Sequence, residues 1–167
     1  DLKIFENSNP KFDLFFAMSH GVHRGILKKG KYDEREKIIN KIIKKNPNLK
    51  FNLFGMNNVQ PIWGEEFKKK LYDSKIALNL SQGKTIKYYS SDRIAQYVGN
   101  GIATLVDKKT QLNHFFNENE LIFYNSFNDL NKKLNKLLKN DKLRRKIAKN
   151  GKLKYHDKFN SILVADY

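Results

Sequence analysis

Cysteine is missing from all 167 residues. That absence excludes a disulfide framework, a thiol nucleophile and zinc sites built on thiolates. Proline occurs only 3 times, and the chain holds no low-complexity tract and no internal repeat. No apolar run approaches the ~20 residues that a bilayer-spanning helix needs. The opening DLKIFENSNP has no basic region followed by an apolar stretch, so it does not read as a secretory signal. The dinucleotide fingerprint G-x-G-x-x-G and the Walker lysine motif are both lacking, which disfavours a nicotinamide enzyme and a P-loop NTPase. RNP-type aromatic sheet motifs, a KH loop and zinc-finger spacings are lacking too, so nucleic acid is not the expected partner. These absences describe a cytoplasmic domain, either soluble or peripheral at the inner face of the membrane.

Negative charge is also scarce. Asp and Glu total 17 against 33 Lys and Arg, a net charge of +16. Such a surplus suits nucleic acid, an anionic membrane or a phosphate-bearing ligand. Most of the lysines, however, fall in helical stretches at 37–50, 68–75 and 132–158, where they read as solvated faces. Charge alone therefore does not choose a partner.

What is present is a regular alternation. Five short apolar runs, Asp13–Met18, Phe51–Phe54, Ile76–Leu80, Ile102–Val106 and Leu121–Tyr124, have strand length and are mostly bounded by Gly, Asn, Asp or Ser. Between them lie helical patterns: Ile38, Ile39, Ile42 and Ile43; Phe67 and Leu71; Leu130, Leu134, Leu137 and Leu138. Asn46-Pro47-Asn48 stops the first helix, Ser90-Ser91-Asp92 offers N-cap chemistry to a helix at Arg93–Val98, and Asn150-Gly151 is expected to end another. The pattern predicts an α/β fold, a Rossmann-like doubly wound parallel sheet of about five strands in the order 3-2-1-4-5, with helices on both faces. Residues 1–12 read as a linker from a missing amino-terminal domain, 13–155 as the domain itself and 156–167 as a helical tail.

In such a sheet, ligands bind beyond the carboxyl ends of the strands, where the order reverses. Two long polar loops should frame that crevice, Ser19–Gly30 and Ser81–Arg93. The start of the helix after Ser91 offers free N–H groups to a diphosphate, with a hydroxyl from Ser91 and a planar fork from Arg93. Plain capping is the competing account, and Lys87, Tyr88 and Tyr89 favour a ligand. His20, Gly21, His23 and Arg24 form a loop suited to close backbone approach. His20 is a weak candidate for catalysis, and two histidines with no carboxylate beside them do not make a metal site. Carboxylates are few at this edge, which disfavours an acid/base pair from this domain alone. In the loop Gly55–Gly64, the single tryptophan, Trp63, is expected to plug the core rather than stack on a base. Glu65 and Glu66 are expected simply to favour a helix start.

From Lys75 to about Tyr155 the chain resembles the carboxyl-terminal domain of GT-B glycosyltransferases, and most nearly the CgeB-like group. The resemblance rests on KIALNL at 75–80, on SDRIAQYVGNG at 91–101 followed by a strand ending in Asp107, and on a helix containing Leu112 and Phe116. ELIFY at 120–124, FNDL at 127–130 and DKLRRKIAKNG at 141–151 complete the series. The resemblance implies a nucleoside-diphosphate-sugar donor, no tightly bound cofactor, and a glycan or lipid-linked acceptor carried by a missing domain. It implies Arg93 and Ser91 at the diphosphate, the His20–Arg24 loop near phosphates or sugar, and Asn58, Val59 and Pro61 toward the base. Where the family has a ribose-binding Glu, this chain has Gln96, an amide that accepts hydrogen bonds without charge assistance. A basic binding module for nucleic acid or an anionic membrane, or an inactive transferase-like domain, is the alternative.

Overall fold

The computed structural model describes residues 9–19 and 33–159. Five strands, β1 (Phe12–Ala17), β2 (Phe51–Phe54), β3 (Ser74–Asn79), β4 (Ala103–Asp107) and β5 (Ile122–Tyr124), form one sheet in the order β2-β1-β3-β4-β5. Every pairing is parallel, as in Leu14↔Phe51, Leu14↔Ile76, Leu78↔Leu105 and Val106↔Phe123. The doubly wound class is as expected, and the reversal lies beside the first strand. Its neighbour across the reversal is the third strand, not the fourth. The chain between β2 and β3 holds only a loop and one helix, so a single strand lies outside β1. The loop after β3 therefore starts at the centre of the sheet and need not return from an edge.

The pleat sorts alternate residues onto two faces. Leu14, Phe16, Ile76, Leu78, Leu105 and Ile122 point to one cluster, closed by Ile39 and Ile42 of α1 (Glu34–Lys45) and Leu130, Leu134 and Leu137 of α4 (Phe127–Lys139). Phe15, Ala17 and Ala77 point to the other, under α2 (Gly64–Tyr72) and α3 (Asp92–Gly99). There Tyr97 lies parallel to Phe67 at 6.2 Å, and Phe15 meets both rings edge-on. Both faces of the sheet are thus covered, which explains why the strands are almost continuously apolar.

Asn150-Gly151 does not end a helix. α5 (Asp141–Lys158) runs straight through it and packs against α3. Gly151 is there because the helix presses on the chain entering β5: a Cβ would lie 2.3 Å from the Glu120 carbonyl oxygen. The helix expected around Leu112 and Phe116 is only a short 3-10 turn, Leu112–His114, although both side chains are buried. Among the described residues, no helix is long and apolar enough to cross a membrane.

Candidate functional site

A cleft of about 400 Å³ opens beyond the carboxyl ends of β1 and β3, where the sheet order reverses. Ala17, Met18 and Ser19 lead out of β1 along its floor, and Pro61–Gly64 form the wall after β2. Gln82, Tyr89, Ser91, Asp92, Arg93 and Gln96 close it from the loop after β3 and the start of α3. The floor needs a glycine next to it. Gly55, at φ +75, passes so close to β1 that a Cβ would lie 1.6 Å from the Met18 carbonyl oxygen.

Arg93 is the main charged group of this cleft. Its guanidinium donates to the Leu80 carbonyl at 2.8 Å, and no carboxylate among the described residues pairs with it. Burial holds its pKa below the usual arginine value; Tyr97 opposes that shift and the positive Arg35 adds to it. A guanidinium stays charged under these conditions, so the cleft contains a half-buried cation that no described carboxylate pairs with. Beneath it the Tyr97 hydroxyl is fully buried near the Ala17 backbone and completes no hydrogen bond of normal geometry among the described residues. Burial pushes that phenol well above its ordinary pKa, so it stays neutral.

Ser91 occupies the N-cap position of α3 with extended backbone, yet its side chain does not cap the helix. Its hydroxyl donates instead to Asn79 at the end of β3, at 3.1 Å. The tip of α3 thus faces the cleft without a side-chain cap. α2 also begins there uncapped, at Trp63. Backbone N–H groups and the positive end of the helix dipole make such a tip receptive to an anion.

A buried ion pair supports the β1 exit. Asp33 caps α1 through the Arg35 N–H at 2.8 Å, and the Arg35 guanidinium returns to both Asp33 oxygens. The same guanidinium donates to the Ser19 carbonyl at 3.3 Å, which ties α1 to the cleft floor.

Of the residues singled out from the sequence, Pro61, Tyr89, Ser91, Arg93 and Gln96 come together around the cleft. Asn58 and Val59 are exposed on the loop after β2, outside the lining, where the Val59 carbonyl accepts from Gly55. Lys87 is turned away, with its ammonium 4.6 Å above the Tyr88 ring. His20, Gly21, His23 and Arg24 lie outside the described residues. Trp63 is a correction: it is no core plug but 70% exposed at the cleft wall. The sequence reading overlooked Asp33 and Arg35, although an Asp directly before a Glu-Arg-Glu helix start is an N-cap signal. Among the described residues, no three His, Asp or Glu side chains gather as metal ligands.

An open parallel sheet with a cleft at its reversal defines a Rossmann-like, doubly wound α/β domain. Residues 34–165 match the family described as glycosyl transferase-like, and the chain belongs to that family. No curated protein matches it. Sucrose-phosphate synthase from Thermosynechococcus elongatus is similar over 79% of this chain and 32% of its own, with TM-score 0.58 and 16% identity. The C-terminal domain of a glycosyl transferase group 1 family protein, LpcC from Francisella tularensis, is similar over 77% and 64%, with TM-score 0.54 and 15% identity. A TarM mutant from S. aureus, in complex with fondaparinux, α-GlcNAc-glycerol and UDP, is similar over 96% and 35%, with TM-score 0.66 and 13% identity. The chain thus spans about a third of two of these proteins, and its fold is that of a GT-B carboxyl-terminal domain.

Proposed function

We propose that this domain is the donor-binding half of a glycosyltransferase and holds the diphosphate of a nucleoside-diphosphate sugar in the cleft between β1 and β3. The observation that carries the reading is Arg93, a half-buried guanidinium without a carboxylate partner, beside the uncapped tip of α3. A planar fork and helix N–H groups are the donors that a diphosphate requires. Gln96, one turn further along α3, takes the ribose side. Pro61 and the exposed face of Trp63 offer a surface for the base. The His20–Arg24 loop, Asn58 and Val59 complete the donor set when sugar is bound. No cofactor is needed beyond the donor itself.

The whole enzyme, in this reading, has an amino-terminal domain joined through residues 1–12, with 13–155 as the donor domain and 156–167 as a tail. That domain brings the catalytic groups and a glycan or lipid-linked acceptor of a bacterial cell envelope. The protein works in the cytoplasm, with its basic surface resting on the anionic inner face of the membrane.

Calorimetry of the 167-residue chain against UDP, GDP and ADP tests the donor site. One of the three should bind, and Arg93→Ala should weaken it by about 100-fold, the loss of a charged hydrogen-bonding pair. Absence of binding by any of them into the millimolar range would remove the reading.

A further inference from the structure

The loop after β3 divides two consecutive tyrosines. Ile86 to Tyr89 form a turn in which Tyr88 has φ 60, a left-handed conformation that a bulky residue seldom adopts. Through this twist Tyr89 lines the cleft, while Tyr88 packs on the loop after β4. Tyr88 is held there three ways: its N–H donates to the Thr110 carbonyl at 2.8 Å, its hydroxyl lies 2.8 Å from His114 Nδ1, and its ring meets Phe115 edge-on at 5.3 Å. Strain fixed so firmly is characteristic of ligand clamps.

The cluster is not closed. Tyr88 remains 42% exposed and Phe115 46%, so both side chains keep surface open to a further partner. Lysines flank it in the chain. Lys87 stands over the Tyr88 ring, and Lys108 and Lys109 precede Thr110 in the turn to which Tyr88 is bonded. None of these lysines forms an ion pair with a described carboxylate, and the nearby Asp107 carboxylate accepts from the Lys109 backbone N–H.

Free aromatic faces suit the C–H face of a sugar ring, and unpaired ammonium groups suit phosphodiesters or carboxylates. We infer that Tyr88 and Phe115, with Lys87, Lys108 and Lys109, form an acceptor subsite for a glycan bearing anionic groups. This rests on the donor reading above, since the turn that builds the platform also sends Tyr89 into the donor cleft. Tyr88 is the residue next to Tyr89 of the cleft lining, so the platform and the donor cleft share one loop. The exposed ring faces favour a glycan over a bare membrane surface, which lysines alone would serve.

The full 167-residue chain is titrated with pentagalacturonate, neutral maltopentaose, tripolyphosphate and phosphatidylglycerol vesicles, and separately with UDP. Pentagalacturonate should bind at least about tenfold more tightly than maltopentaose or tripolyphosphate. Phe115→Ala, which leaves the turn at Tyr88 intact, should weaken it by about fivefold while UDP affinity is kept. Tyr88→Phe, which retains the ring, should bind as the parent does, and Lys108→Gln with Lys109→Gln should flatten the salt dependence. The proposal is overturned if ring removal leaves glycan binding unchanged, if tripolyphosphate binds equally well, or if vesicles outcompete the glycan. Glycan binding with no binding of UDP, GDP or ADP would instead remove the donor reading and leave the platform. UDP binding without glycan binding would remove the platform alone.

Discussion

The five described helices start in two different ways. α1, α4 and α5 open on a side chain that closes the first turn: Asp33 accepts from Arg35, Ser126 from Asp129 and Asn140 from Leu143. α2 and α3 have no side-chain cap, and these are the two whose first residues line the cleft. Ser126 and Ser91 offer the same chemistry at the same position. What separates them is the neighbour: Asn79, at the end of β3, takes the Ser91 hydroxyl. Closed starts satisfy their own N–H groups and stabilise the fold. Open starts leave those donors for a ligand.

The largest effect should come at a closed start. Asp33 and Arg35 are 5% and 2% exposed, and Asp33→Ala would leave the guanidinium buried without its main partner. We expect a loss of about 3–5 kcal/mol in urea unfolding, with the Ser19 floor loosened as a result. If Asp33→Ala costs no more than an ordinary cap, Arg35 has found another acceptor and the distinction between the two kinds of start weakens.

Ser126 gives the smaller effect of the same kind. Its hydroxyl accepts from the Asp129 N–H, and the Asp129 carboxylate reaches back to the Asn125 N–H, a reciprocal pair. Ser126→Ala should cost about 1 kcal/mol in the same measurement. Nucleotide affinity should not change, because this helix start does not line the cleft.

Much of the fold was legible because periodicity is a property of the residues themselves. Leu14, Phe16, Ile76 and Leu78 alternate with Phe15 and Ala77, and that alone requires strands covered on both faces. The order of the strands was less legible, since no local signal says how many of them lie outside β1. Helix ends were read well where an Asn-Pro pair stops the chain and poorly at Gly151. A glycine that ends a helix and one that admits the Glu120 carbonyl look alike in sequence. Arg93, Ser91, Tyr89 and Pro61 come together at one cleft because they flank a helix start and the strand ends, while Gln96, which joins them, was singled out only through the family resemblance. Trp63 was misjudged because an aromatic side chain reads as core, whereas the aromatic core of this face is built by Phe15, Phe67 and Tyr97 from three separate segments. That Lys87 lies over the Tyr88 ring rather than in the cleft lining was not legible, because the left-handed turn at Tyr88 cannot be read from a tyrosine.

Ser91→Ala is the sharpest test of the comparison because its expected effect is so small. With no capping hydrogen bond to lose, α3 should change stability by only about a few tenths of a kcal/mol, against the larger cost at Ser126. The hydroxyl proton is already committed to Asn79, so the phosphate donors at this tip are backbone N–H groups together with Arg93. UDP affinity should therefore fall by no more than about threefold in calorimetry, far less than for Arg93→Ala. A tenfold loss at Ser91 would mean that its hydroxyl leaves Asn79 for the ligand, and that the open start is closed by substrate through the side chain rather than the backbone.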